Sequence, residues 1–506
     1  MPIVKLQQSG DWSNYHKTGD AALAGRFAVR SSERPSGRRD LALVARELRS
    51  WLRAARQSGV SVRPVGGAWS PSNIQLVHQG WMLNTRRFNR MFRIAAEDLA
   101  ASSSFDPASL VLIEAGTQID EINDKLEREM GRSLRSTGAS NGQTIAGACA
   151  TGTHGAVLTA GGIQDHVRAI QIVTPAKIYW IEPDSGVMDP AFVDATGSTL
   201  IRDDEVFAAA LVHVGSLGLV TAYVLETVPL YLVRPIMKLI DFRRADLEML
   251  GRGDFRAFSA AHALDRAPYF VMVITNPHNP FGRKAIVRFL YKEPYELVAP
   301  GGTGKQMGAG YDAFTLLGWI FRNLPLAYGM LTELIMKLGV GNGTDVDDPP
   351  VYGSWGATTE THRPMADLFT GAVFCDRAEL VRVFDLLCRK FTRAGGRTVV
   401  TLRFMKGGSG LLAPARWDDT AGLDCDGPRT DRTTAAFCKV LESLEVEGID
   451  FTRHWGKFNS LDANRVAHDY GGDLTRWKSV RNRLLPKPQD RALFRSAELD
   501  RLGLTL

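Results

Sequence analysis

The ten residues Ala146-Gly147-Ala148-Cys149-Ala150-Thr151-Gly152-Thr153-His154-Gly155 constrain this chain more than any other stretch. Gly, Ala and Thr follow one another so densely that almost no side chain separates the backbone from whatever lies against it. Glycine admits positive φ and close approach of a second group, and successive bare N–H groups can form an anion-binding nest. Thr144, Thr151 and Thr153 add hydroxyl donors, so a phosphate-bearing cofactor suits the run. The competing reading is a tight glycine turn at a sheet corner.

Two further small-residue segments favour the cofactor. Val62-Arg63-Pro64-Val65-Gly66-Gly67-Ala68-Trp69-Ser70-Pro71-Ser72 enters as a strand and ends in hydroxyls. Val214-Gly215-Ser216-Leu217-Gly218-Leu219-Val220-Thr221 turns into the strand-like 222–229. Three loops beside β-type sequence predict an extended ligand laid along them. None has the Gly-Lys-Ser/Thr ending of a P-loop, and no Gly-x-Gly-x-x-Gly follows a strand and opens a helix.

These loops, in this order and spacing, resemble the FAD-binding domain of the vanillyl-alcohol oxidase (PCMH-type) superfamily. His454-Trp455-Gly456-Lys457 resembles a C-terminal motif of its sugar-lactone and alditol oxidase branch. The resemblance covers about residues 20–232 and 445–506. It implies an α+β fold with a two-subdomain FAD-binding domain and an α+β cap domain containing an antiparallel sheet. It also implies the division: an N-terminal extension (1–25), an FAD-binding domain (26–232), a cap over the flavin (233–444), and a segment returning to the first domain (445–506).

The resemblance further assigns residues. Cofactor contacts fall on Arg63, Gly66, Gly67, Ala68, Trp69 and Ser70, then on Gly138, Ala139, Ser140 and Thr144. They continue with Gly147, Ala148, Thr151, Gly152, Thr153, His154 and Gly155, and with Gly218, Val220 and Lys457. Many relatives carry at Trp69 a histidine joined to the flavin 8α-methyl, and others a cysteine at Gly142. Both tethers are missing here, so FAD is expected to be non-covalent. Small residues at 138 and 139 would leave room for O2. Cys149 is expected to be a small buried side chain.

The expected catalytic residues are Lys457, His454 and Arg403. A cation near a flavin that accepts hydride stabilises the reduced state, which suits Lys457. A histidine can take the alcohol proton, which makes His454 the candidate base. Arg403 and Thr401 share a face of a strand. Alditol oxidases carry Glu-x-Arg on a comparable strand, so Arg403 matches the arginine while Thr401 replaces the glutamate. An arginine there can hold an alkoxide or a carboxylate.

The expected activity is that of an FAD-dependent oxidoreductase oxidising a CH–OH group by hydride transfer to flavin N5, with O2 as acceptor. The missing glutamate and the apolar 314–336 favour a fairly large or apolar alcohol over a simple sugar alcohol. The alternatives are a dehydrogenase passing electrons to a quinone or protein at a membrane surface, and a non-redox cyclase or binding protein on the flavin fold.

Composition bounds the rest. A chain of 506 residues calls for two or three domains. Net charge is +6 without a basic, aromatic-studded stripe, which argues against nucleic acid. The five cysteines lack Cys-x-x-Cys spacing, so neither a zinc site nor a disulfide framework is expected. The N-terminus has no apolar signal-like run, and a cytoplasmic location is expected. In 314–336, Arg322, Asn323, Pro325 and Glu333 interrupt any membrane span. That leaves core helices, or an apolar entrance or membrane-surface pair.

Local patterns predict helices over 41–55, 116–128, 204–212 and 377–394, with a polar helical tail over 465–506. Strands are expected over 60–64, 110–115, 167–173, 178–181, 269–275, 285–291 and 399–404. Loops are expected over 296–312 and 339–358, and little structure over 1–25.

Overall fold

The computed structural model describes residues 3–7, 9–31, 38–278, 283–295, 353–359 and 368–505, with Leu324 and Leu331. The first half builds two sheets. One has four strands, in the order Ile3–Gln7, Gly25–Arg30, Trp81–Arg87, Val62–Val65; the last three run parallel. The other has six, in the order Thr199–Arg202, Ile178–Glu182, Val167–Val173, Leu219–Glu226, Leu110–Glu114, Met91–Arg93.

Side chains of the six-stranded sheet alternate between two cores, which is why its strands read as unbroken apolar runs. Leu110, Leu112, Ala222 and Val224 face the helix Arg38–Gln57 and the first sheet. Val111, Ile113, Tyr223 and Leu225 face the short helix Ile145–Ala150 and the C-terminal helix Ala463–Leu484. In Arg38–Gln57 the buried positions Leu41, Val44, Ala45, Leu48, Leu52 and Ala55 recur every three or four residues, the spacing that gives a helix one apolar stripe.

The second half is an eight-stranded antiparallel sheet. Its order is Gly353–Ser354, Tyr231–Asp241, Lys284–Pro294, Phe270–Thr275, Val399–Lys406, Asp419–Pro428, Leu368–Asp376, Thr452–Arg453. Helices Arg244–Arg252, Phe255–Ala261, Leu380–Ala394 and Asp431–Val446 cover one face. Val400, Leu402, Phe404, Ala421, Leu423 and Cys425 point into that core. The period-2 alternation therefore puts Thr401, Arg403, Asp424 and Asp426 on the opposite face.

Several expectations need correction. Residues 1–25 are not unstructured: they contain the strand Ile3–Gln7 and a hairpin, Gly10–Ser13 with Asp20–Leu23, whose Ala21 and Leu23 pack on Val65, Leu76 and Met82. Their brevity and polar content hid them. Residues 353–359 form a strand and the helix Trp355–Thr359 rather than a loop, because Trp355 is buried and donates from Nε1 to Thr137 Oγ1 at 3.0 Å. The C-terminal tail is not polar throughout, since Tyr470, Leu474, Trp477 and Leu484 are buried in the core shared with the six-stranded sheet. The segments 296–312 and 339–352, and all of 314–336 except Leu324 and Leu331, lie outside the described residues. Among the described residues no helix is long and apolar enough to cross a membrane.

All five cysteines are free thiols. Cys149 is fully buried beneath the glycine run.

Candidate active site

A cleft opens between the three small-residue loops and the uncovered face of the eight-stranded sheet. Its first wall is Gly66 to Ser70. A Cβ on Gly66 would sit 2.0 Å from Thr144 Oγ1, and one on Gly67 2.3 Å from the Gly142 carbonyl oxygen. The two loops can touch only because both positions lack side chains. The same holds for the tether positions: a Cβ on Gly142 would lie 2.2 Å from the Trp69 ring. Indole and glycine thus fill one space between them.

Of the residues expected to contact a cofactor, Arg63, Gly66, Gly67, Ala68, Trp69, Ser70, Gly138, Ala139, Ser140 and Thr144 line the cleft. So do Gly147, Thr151, Thr153, His154, Val220 and Lys457. Ala148, Gly152, Gly155 and Gly218 do not. Ala148 is in the core, facing the other side of its helix. Gly152 and Gly218 hold positive φ, +68° and +135°, and pack on Pro414 and on Ile172. Gly155 packs on Ser136 and Thr137. Gly152 and Gly218 thus serve the bends of the chain.

The central run is a short helix, Ile145–Ala150, rather than an open loop. Thr144 caps it by accepting from the Gly147 N–H at 3.4 Å. Several side chains expected to bind anions are already committed. Thr151 Oγ1 donates to the Gly147 carbonyl at 3.1 Å, and Ser70 Oγ to the Gly456 carbonyl at 2.7 Å. The buried Arg63 guanidinium donates to the carbonyls of Ile74 (2.9 Å), Gly215 (2.8 Å) and Val214 (2.9 Å). Arg63 therefore ties the first loop to the third. Gln143, by contrast, lines the cleft with a buried Oε1 that has no partner. A ligand that brings N–H or O–H donors fits that orphan acceptor.

The far end of the cleft is charged. Lys457 Nζ lies 2.7 Å from Asp424 Oδ1 and Arg403 Nε 3.0 Å from Asp424 Oδ2. Asp424 is fully buried, directly opposite Thr401 in the strand register. The carboxylate absent at Thr401 is present on the neighbouring strand. Burial pushes the Asp424 carboxyl up, but Lys457 and then Arg403 outweigh it and hold it well below the usual carboxylate range. Asp426, two residues on and lining the cleft, is pushed the other way, by burial and by Asp424 beside it. Asp424 therefore holds its charge between two cations, and Asp426 beside it is the more readily protonated of the two carboxyls.

Two histidines complete it. Burial holds His154 near pKa 4 and His454 well below the ordinary value, so both are neutral. Their rings lie 5.7 Å apart. His454 Nδ1 accepts from the Gly456 N–H at 2.9 Å. That contact selects the tautomer with the proton on Nε2. In this tautomer His454 presents an Nε2–H donor. Asp424, Asp426, His16 and His213, which the sequence reading missed, also belong here. The alternation Leu423-Asp424-Cys425-Asp426 was a legible strand signal with acids on one face. His213 braces the third loop, its Nδ1 accepting from the Gly215 N–H at 3.0 Å. Nothing local marks His16.

Three bare loops, an unpartnered amide oxygen and a charged end define a site for a long, phosphate-bearing redox cofactor. Residues 44–177 match the family described as FAD binding domain. D-arabinono-1,4-lactone oxidase of Yarrowia lipolytica is 27% identical over 202 residues, covering 39% of this chain and 33% of that protein. L-gulonolactone oxidase of Mus musculus is 28% identical over 183 residues, covering 36% and 35%. The chain thus matches about a third of the length of these curated relatives. A cholesterol oxidase from B. sterolicum superposes with TM-score 0.69 at 17% identity, covering 99% of this chain and 97% of that one. A xylooligosaccharide oxidase from Myceliophthora thermophila gives TM-score 0.60 at 13% identity, covering 96% and 92%. Residues 44–177 thus carry an FAD-binding domain, whose cofactor is FAD, and the chain as a whole shares its fold with these two solved structures.

Proposed function

We propose that this protein is an FAD-dependent oxidase of a CH–OH group, and that the charged end of the cleft is where the reacting oxygen sits. The Lys457–Asp424–Arg403 arrangement carries this reading. Bound FAD would supply the two-electron acceptor, taking hydride at N5 and returning the electrons to O2. The chain's own part is electrostatic. Lys457 and Arg403 face the oxygen from which a proton must leave, and their positive charge favours the alkoxide. Asp424 fixes both cations in place. The His454 Nε2–H offers a neutral hydrogen-bond donor to the same region. FAD is held without a covalent bond, since Trp69 and Gly142 offer no nucleophile and pack against each other.

The substrate is an alcohol whose reacting end is polar enough to meet these groups. The lactone oxidases among the relatives and the cholesterol oxidase among the structural neighbours support an alcohol bound beneath the cap. A larger, less polar alcohol remains the preferred substrate, on the strength of the apolar 314–336. The test is anaerobic mixing of the yellow holoprotein with a panel from aldonolactones to sterols. Bleaching near 450 nm by one class, followed by recolouring and peroxide on admitting air, is the expected result. Bleaching that recovers only with an added quinone would replace the oxidase by a dehydrogenase. A colourless protein that takes up no FAD would sink the reading.

A further inference from the structure

The cleft has a wall that belongs to neither the three loops nor the cap. His16 lines it, reaching in from the turn of the N-terminal hairpin. That turn is built to hold a shape. Asn14 Oδ1 accepts from the Thr18 N–H at 2.7 Å, and Lys17 sits at φ +54°. It is fastened to the first loop by three hydrogen bonds: Tyr15 N–H to the Ala68 carbonyl (2.9 Å), Asn14 Nδ2 to the Ser70 carbonyl (3.0 Å) and Thr18 Oγ1 to the Pro71 carbonyl (2.9 Å). Ala68 itself adopts φ +53°, a left-handed conformation that a non-glycine residue keeps only when its surroundings impose it.

The side chains continue the attachment. The Tyr15 ring stacks on Trp69 at 4.5 Å and 20°, and the His16 ring meets Trp69 edge-on at 5.2 Å and 84°. His16 is buried, and burial keeps its imidazole neutral, near pKa 4. From Trp69 the connection runs on to the charged end, since Ser70 and Ser72 donate to the carbonyls of Gly456 and Trp455 at 2.7 and 2.9 Å. The hairpin thus fixes Trp69 and sits one loop away from Lys457.

We propose that the N-terminal hairpin is a latch on the FAD ring system, with His16 a direct contact and Tyr15 holding Trp69 in position. A neutral imidazole beside a stacked indole offers an aromatic edge and face to a planar ring. The inference rests on FAD occupying this cleft. It makes the hairpin of residues 10–23 part of the cofactor site.

The test compares His16→Ala and Tyr15→Ala with the parent, all as holoprotein. FAD release is followed by the recovery of flavin fluorescence on dilution. The flavin absorption band and the thermal midpoint of each apoprotein are recorded alongside. We expect both variants to release FAD about tenfold faster, equal to about 1.4 kcal/mol, with apoprotein midpoints unchanged. We also expect His16→Ala to shift the absorption band, which a purely structural residue would not do. Release within about twofold of the parent for both variants, or faster release matched by a general fall in the apoprotein midpoints, would overturn the latch. A parent protein that binds no FAD would instead remove the cofactor assignment beneath it.

Discussion

Replacing Lys457 with methionine tests how the charged end of the cleft holds together. The substitution leaves Asp424, 1% exposed in its side chain, with Arg403 as its remaining cation at 3.0 Å. Two unit charges about 4 Å apart are worth about 4 kcal/mol at an effective dielectric of about 20. Removing one partner of a buried pair costs about 3–5 kcal/mol. Lys457 is itself 19% exposed, and Arg403 persists, so a loss of about 2–3 kcal/mol is expected. The pH dependence has a definite sign. A carboxyl whose folded value is depressed contributes stability above its unfolded value of about 3.9 and loses it as pH falls through the folded one. Without Lys457 the folded value rises, so acid sensitivity begins at higher pH. The assay is urea unfolding of the apoprotein by tryptophan fluorescence from pH 4 to 8. Lys457→Met and Asp424→Asn are measured alone and together, and the double variant should lose less than the sum of the singles by about 1.5 kcal/mol. Additive losses, or a single-variant loss below about 0.5 kcal/mol with an unmoved acid midpoint, would refute the buried-pair reasoning.

Other expectations follow from the same geometry. Lys457→Met should slow flavin reduction by the identified alcohol about 100-fold or more, read by stopped-flow absorbance. Gly142→Ala should cost about 1–3 kcal/mol by driving its Cβ into Trp69, with Trp69→Ala relieving most of it in thermal unfolding. Arg63→Met should cost about 2–4 kcal/mol, and Arg63→Lys should not restore it, because one ammonium cannot reach all three carbonyls. Asp426 titrates above its ordinary range, so its protonated form stabilises the fold at low pH and that contribution fades as pH rises through the raised value. Asp426→Asn should flatten this decline of the urea midpoints with rising pH. Acid precipitation should leave the flavin in the supernatant.

The sequence by itself determined the local architecture and the cofactor. The small-residue runs at 62–72, 144–155 and 214–221 have few uses other than close backbone approach, and apolar periodicity placed the helix Arg38–Gln57 and the strands of the six-stranded sheet. It could also exclude histidine and cysteine from the tether positions, since identity at a single residue suffices. What it could not supply was any property arising from pairs of distant residues. Asp424 meets Lys457 and Arg403 only through strand register and sheet curvature. Arg63 is spent on the third loop because 150 residues of chain return beside it. The tautomer of His454 is set by one N–H two residues away, in a turn that only the folded chain makes. His16 reaches the cleft because the N-terminal hairpin folds over Trp69. Contact energies of this kind depend on distance and burial, and tertiary packing alone assigns both.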